Sequence, residues 1–338
     1  PDRALRVVPS PETPPRAAPA GPAILETRRL GRAFKVRGGL LHALSEVTLA
    51  CTPSTPLGIV GESGCGKTTL NRLLPALDQP TSGAVMFKGK DLSDLGGAER
   101  RAYRRALQPV FQNPYSSLSP RMKVRRIIAE PLSASGEMTR AEVDARVVEV
   151  LEQVGLSTDV ADRLPSEFSG GQRQRIAIAR ALASPPELLL LDEPVSSQDI
   201  SIQAQILNIL KDLQEDYGLA TLFVSHDLDE ALKIGNNIAI MESGRLIQHG
   251  KPEEIVLTPK TEYVKDFVAH TNPLNVLCGR SLMRPINDCT RINGSQVCLD
   301  PGDDSWIDLA DGNTIKGLHQ HGAAVDLQSW EPGQSVEN

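Results

Sequence analysis

A run of four leucines, Leu188–Leu191, that ends on the acid pair Asp192-Glu193 constrains this chain's fold more than any other feature. A strand with one face in water alternates apolar and polar residues, whereas an unbroken apolar run needs cover on both faces. The segments that follow can supply that cover: a helical pattern over Ile200–Asp216, a β-like run at Ala220–Ser225 and a second helix at Leu228–Ile234. Strands alternating with helices predict an α/β fold with a parallel, mainly buried sheet. Asp192 and Glu193 then stand at its carboxyl edge, where ligands bind in open α/β sheets.

Gly61-Glu62-Ser63-Gly64-Cys65-Gly66-Lys67-Thr68 fits the pattern G-x-x-x-x-G-K-[ST]. It lies between the β run Leu57–Val60 and a helix predicted through Leu74, which is the context that gives the pattern meaning. Gly61, Gly64 and Gly66 let backbone N–H groups turn inward around phosphate oxygens, and the helix start adds partial positive charge. Lys67 is expected to reach the β and γ phosphates of ATP, and Thr68 to offer its hydroxyl to Mg²⁺; Ser63, Cys65 and Thr69 complete the expected nucleotide cradle. Pro75 should kink or end this helix early.

Three further strand ends carry polar groups. Asp192 is expected to hold Mg²⁺, mostly through water, and Glu193 to orient or deprotonate the attacking water. His226, after the β run Thr221–Ser225, would contact the γ-phosphate. Gln112, after Gln108–Phe111, can reach Mg²⁺ or the attacking water. A lone histidine there reads as structural; four polar strand ends together reverse that reading. Upstream of the leucine run, Ser169-Gly170-Gly171-Gln172 reads as a helix start.

Composition excludes several classes. Lys plus Arg number 36 against 42 Asp plus Glu, a net charge of −6, without the basic excess of a typical DNA binder. The cluster Arg100-Arg101 and Arg104-Arg105 reads as a solvated helix face. Five cysteines, at 51, 65, 278, 289 and 298, form no CxxC pair and suit a reduced chain better than a disulfide framework. No run of about 18 apolar residues exists and the start shows no signal-peptide core, so work at a membrane would go through partners. Residues 1–24, rich in Pro and Ala, are expected to form a flexible tail. Short β runs are expected at Ala43–Ala50, Pro56–Val60 and Ala84–Lys88, and helices over about 113–182, including Ala141–Val154. Beyond about residue 270 the pattern weakens, leaving 271–338 as an extension or loose tail.

With these motifs in order, residues 25–270 resemble the nucleotide-binding subunit of ATP-binding-cassette (ABC) transporters. The resemblance implies a RecA-like core with an antiparallel β subdomain and a helical subdomain. It also implies head-to-tail pairing with a second such subunit, identical or different, in which Ser169, Gly170, Gly171 and Gln172 of one chain complete the ATP held by the other's phosphate loop. Phe34 is the candidate to stack on adenine, with a core phenylalanine as the alternative. Partners implied are two transmembrane permease subunits and an extracytoplasmic solute-binding protein, not nucleic acid, with the chain peripheral on the cytoplasmic face of the inner membrane.

Finer likenesses divide. Val110–Arg121, Glu62–Lys67 and Ile200–Gln205 resemble dipeptide and oligopeptide importer ATPases. Asp229–Asn236 and Tyr263–Val268 look like glycine betaine and choline importer ATPases. Many peptide-type subunits end in a four-cysteine iron–sulfur motif, but Cys278, Cys289 and Cys298 do not match its spacing. Where the family usually has Ser-Ala-Leu-Asp after the acid pair, this chain has Ser196-Ser197-Gln198-Asp199. A soluble ABC ATPase of DNA repair or translation is the alternative from another class; the single cassette and the absence of a long coiled-coil insertion argue against it. Intact Lys67, Glu193 and His226 argue against a regulatory pseudo-ATPase.

Overall fold

In the computed structural model, residues 22–37, 39–53, 55–112, 117–135, 138–196, 198–269 and 271, together with five strands between 291 and 325, are described. The chain divides into two compact units, Pro19–Val276 and a second one formed by Pro1–Ala18 with Leu277–Asn338.

The larger unit opens with two long strands, β1 (Leu25–Val36) and β2 (Gly39–Cys51), followed by β3 (Leu57–Val60) and α1 (Lys67–Leu73). Next come β4 (Ser82–Phe87), β5 (Lys90–Asp91), α2 (Gly97–Ala106) and β6 (Leu107–Val110). Three helices follow, α3 (Val124–Ser135), α4 (Arg140–Gln153) and α5 (Gly170–Ala183). The chain then runs through β7 (Leu188–Asp192), α6 (Ile200–Tyr217), β8 (Ala220–Ser225) and α7 (Leu228–Ile234). It closes with β9 (Asn237–Glu242), β10 (Arg245–Gly250), α8 (Pro252–Leu257) and α9 (Glu262–Ala269).

The central sheet has the order β10-β9-β3-β8-β7-β6, parallel from β9 through β6, with β10 antiparallel at one edge. Beside it lies an antiparallel sheet, β2-β1-β4-β5. The leucine run explains how the layers meet. Leu188 and Leu190 belong to the core shared with the antiparallel sheet (Leu25, Leu30, Leu44, Val47). Leu189 and Leu191 belong to the core shared with the helical layer (Ile127, Val147, Val150, Ile176, Ile178). Period-two alternation thus splits one apolar run between two cores, which is why no polar residue interrupts it.

The expected β-strand/helix order is present with small boundary shifts. The first helix stops at Leu73, before Pro75 removes a backbone donor, and the buried Tyr103 hydroxyl donates to the Leu74 carbonyl there. The third β run starts two residues earlier than read, at Ser82. The strand before Gln112 ends at Val110 rather than Phe111. In the expected helical stretch, α3 and α4 are followed by two short 3₁₀ turns, Thr158–Asp162 and Pro165–Glu167, before α5, and α4 starts on a Thr139–Glu142 capping box. Arg100, Arg101, Arg104 and Arg105 are exposed on α2 while Tyr103 and Ala106 face the core, as a solvated face requires.

In the smaller unit, β11 (Arg291–Asn293), β12 (Gln296–Asp300), β13 (Ser305–Ala310), β14 (Thr314–Gln320) and β15 (Ala323–Val325) form a consecutive antiparallel sheet. The sequence suggested only an appendage or loose tail; the turn-separated runs were too short and polar to register as strands. Cys278 and Cys289, and most of the expected tail 1–24, lie outside the described residues.

Candidate active site

The phosphate loop bridges β3 and α1 at the carboxyl edge of the central sheet, and its neighbours leave room only for glycine at two points. A Cβ on Gly66, whose φ is 109°, would stand 2.6 Å from the Ala43 carbonyl oxygen. A Cβ on Gly61 would stand 2.3 Å from the Met241 carbonyl oxygen and 2.7 Å from the Cys65 sulfur. The β9–β10 turn fixes the loop further, since the Gly244 N–H donates to the Cys65 carbonyl at 2.9 Å. Lys67 is 7% exposed, and its ammonium donates to the carbonyls of Gly61 (2.5 Å) and Glu62 (3.0 Å). Ser63, Gly64 and Thr68 are exposed along the loop, Thr69 is half-buried, and Cys65 is buried beneath it.

Facing the loop, Asp192 ends β7 and accepts a 2.6 Å hydrogen bond from the Asn71 side-chain amide. Burial raises the Asp192 carboxyl above its usual range; the Asn71 bond partly opposes this, and the neighbouring Glu193 charge adds to it. Asn71 is itself 1% exposed, and its side-chain oxygen has no partner. Glu193 sits in the left-handed region (φ 46°) with its N–H donating to the Val224 carbonyl at 2.8 Å. A non-glycine residue pays on the order of 1–3 kcal/mol for such a backbone, a strain found at functional sites. The turn aims the carboxylate at two other strand-end residues. The Gln112 amide donates to Glu193 Oε2 at 2.7 Å, and His226 Nδ1 lies 3.5 Å from the same oxygen. Ser196 joins them, its hydroxyl 3.4 Å from the Gln112 amide nitrogen.

The residues after β8 form a hydrogen-bonded network next to His226 in the chain. The Ser225 hydroxyl donates to Glu230 at 2.6 Å and accepts from the Asp227 N–H at 2.9 Å. Asp227 in turn caps α7 through the amides of Asp229 and Glu230. Glu230 is 6% exposed, and burial raises its carboxyl above the usual range despite the Ser225 bond.

Five sequence-predicted groups thus converge on one edge: the Lys67 loop, Asp192, Glu193, Gln112 and His226. The Ser169–Gln172 segment does not join them. Ser169 Oγ accepts from the Gln172 N–H (3.3 Å) and the Gln172 side chain accepts from the Ser169 N–H (3.0 Å), a capping box that starts α5. Gly171 is required by packing: a Cβ there would meet Ile202 Cγ2 at 2.4 Å. Gln198, the departure noted in the loop after the acid pair, lies against Gly170. Phe34, near the end of β1, is 36% exposed with the Arg32 guanidinium 4.8 Å from its ring centroid. Sequence reasoning missed Asn71, Ser225 and Glu230. Asn71 was findable, because it lies four residues after Lys67 and so on the same helix face.

The sequence matches the ABC transporter family over residues 44–196. It is 47% identical over 244 residues to the oligopeptide transport ATP-binding protein OppD of Mycobacterium tuberculosis, an alignment covering 72% of this chain and 40% of that protein. The chain therefore spans about two fifths of that relative's length. It is 42% identical to the oligopeptide transport ATP-binding protein AppF of Bacillus subtilis, covering 73% of this chain and 77% of AppF. In structure it is similar to the dimeric post-hydrolysis state of the ATP-binding cassette MJ0796 bound to ADP and Pi, with a TM-score of 0.61, 31% identity and coverage of 67% of this chain and 98% of that one. These names support the peptide likeness; the glycine betaine likeness of Asp229–Asn236 and Tyr263–Val268 finds no support among them.

Proposed function

Because this chain belongs to the ABC transporter family of ATP-binding proteins, we propose that it is the ATP-hydrolysing subunit of a peptide importer, driving uptake through partner permeases. That it is an ABC ATPase follows from the family; peptide cargo, the permeases, a solute-binding protein and a place on the inner face of the membrane are the proposal. Among the described residues no helix is long and apolar enough to cross a membrane; the permeases of this reading are separate subunits.

The observation that carries the reading is the convergence of Gln112 and His226 on one Glu193 oxygen beside the Lys67 loop. Lys67 and the loop amides bind the phosphates. Glu193 accepts the proton of the attacking water, Gln112 orients that water, and His226 contacts the γ-phosphate. The donor set fits Mg²⁺: hard oxygens from Thr68, Gln112 and Asp192, few enough to leave room for waters and phosphate oxygens. The Asp192 carboxylate is desolvated and beside the Glu193 charge, and the Asn71 amide and the Lys67 charge only partly offset this, so it is a group that a further cation would satisfy. When bound, Mg²⁺ neutralises charge on the β and γ phosphates. Phe34 stacks on adenine with the ring face not covered by Arg32. Ser169 to Gln172 serve the nucleotide of a second cassette, in a pair of the kind seen for MJ0796.

Two measurements test this. Purification of the tagged chain from membranes should bring down integral membrane subunits, and deletion should abolish uptake of labelled oligopeptides while sparing amino-acid uptake. Loss of glycine betaine uptake instead, with peptide uptake intact, would overturn the cargo. Copurification with nucleic-acid enzymes and no membrane protein would overturn the transport role.

A further inference from the structure

The phosphate loop is also held from outside the established motifs, by a tyrosine about two hundred residues away in sequence. Helix α9 packs on the helical-layer core of its own unit through the fully buried Val264, and Thr261 caps its start by accepting from the Val264 N–H at 3.3 Å. This anchoring leaves Tyr263 half-buried, stacked on Phe267 with ring centroids 5.9 Å apart. The Tyr263 hydroxyl meets two backbone groups. It accepts from the Glu62 N–H at 3.4 Å and donates to the Met241 carbonyl at 3.4 Å.

Both partners belong to the phosphate-loop frame. The Glu62 carbonyl accepts from the Lys67 ammonium, and the Met241 carbonyl is the atom that excludes a side chain from Gly61. Glu62, His226, Tyr263 and Phe267 also line one open cavity of about 510 Å³. Burial raises the Tyr263 hydroxyl above its usual range, which keeps its proton on and its donor role intact.

We infer that Tyr263 is a positioning residue for ATP binding: its hydroxyl bridges the end of β9 to Glu62 and sets the entrance of the phosphate loop. The inference rests on the assignment of the Lys67 loop as the nucleotide site. Tyr263 touches no reacting atom and acts through the Glu62 N–H, which shares one rigid peptide plane with the Gly61 carbonyl that accepts from the Lys67 ammonium at 2.5 Å. One neutral hydrogen-bonded bridge at this strength corresponds to about a three- to tenfold change in affinity.

The test is Tyr263→Phe in the full chain, which keeps the ring stack and removes only the hydroxyl, read beside Phe267→Ala, which weakens the stack and keeps the hydroxyl. Tyr263→Phe should raise the Kd for ATP and the KM of ATP hydrolysis about three- to tenfold, with kcat at saturating MgATP within about twofold of the parent. Amide hydrogen exchange over residues 57–66 should quicken in the same variant. Phe267→Ala should lower the melting temperature more than Tyr263→Phe does and leave the Kd for ATP within about twofold. Unchanged ATP affinity and unchanged exchange in Tyr263→Phe would overturn the inference, as would an equal loss of affinity in Phe267→Ala. If Tyr263→Phe does not fold, exchange in the parent chain decides: Glu62 amide protection matching that of the exposed neighbours Ser63 and Gly64 overturns the bridge. Failure of the parent chain to bind ATP would instead count against the nucleotide-site assignment.

Discussion

The phosphate loop and the Ser169–Gln172 segment are both glycine-containing helix starts, yet different physics holds them. The loop is fixed by distant parts of the chain: Ala43 from β2, and Met241 and Gly244 around β9. A buried ammonium stands in the loop, and burial pushes upward two carboxyls beyond it, Asp192 at the facing strand end and Glu230 on the helix after His226. The Ser169 segment is held by its own capping box, with the one distant residue Ile202 packed on Gly171, and has no ionised side chain among its four residues. A half-site that binds phosphates by itself needs prepaid electrostatic order. On the proposed reading the Ser169 segment meets a nucleotide only when a second chain arrives, and such a segment needs a rigid, correctly capped helix end.

The largest effect separates chemistry from binding. Glu193→Gln should lower ATP hydrolysis at least about a hundredfold while ATP affinity stays within a few fold, because the glutamine can still receive the Gln112 amide but cannot take a proton. Normal turnover in that variant would remove Glu193 from its role. Gly171→Ala probes the other region. Its Cβ would collide with Ile202 Cγ2, so about 1–3 kcal/mol of stability should be lost, partly offset by the better helix propensity of alanine. Urea unfolding with an unchanged m-value measures it, and a rise in stability would show that Ile202 gives way. Ser169→Ala should cost about 1 kcal/mol through the lost cap and reduce turnover, leaving ATP binding by the isolated chain unaltered. Weakened ATP binding in the isolated chain would erase the distinction between the two regions.

What the sequence made legible follows the same divide. Leu188–Leu191, Ala220–Ser225 and Leu228–Ile234 were read almost to the residue because period and burial agree there. The Ser169 cap was legible because capping is local in sequence. The groups that frame the phosphate loop were not. Nothing near Met241 or Tyr263 announces contact with Gly61 and Glu62, since the contacts are made by backbone atoms and by one hydroxyl. Glu230 was hidden inside an amphipathic helix pattern, where a glutamate four residues after His226 reads as surface. The positive φ of Glu193 leaves no mark in composition at all.

The smallest effect sharpens the electrostatic side of the comparison. Glu230 is buried, hydrogen-bonded by Ser225 and near Asp227, and its folded carboxyl resists ionising. The unfolded chain gives up this proton near pH 4, at the ordinary glutamate value of about 4.3. As pH rises from there through the raised folded value, the folded state keeps the proton longer, so stability falls across that window and then levels off. Glu230→Gln removes the titration and retains an oxygen to accept from Ser225. Its melting temperature should therefore exceed the parent's at pH 8, and the excess should stay level until the pH falls to the raised folded value and then shrink towards pH 4. Ser169→Ala should show no such trend, because its lost cap carries no charge. A Glu230→Gln difference independent of pH would mean that the Ser225 bond, rather than burial, governs this carboxyl, and the contrast between a charged loop frame and a neutral capped helix would then rest on Asp192 alone.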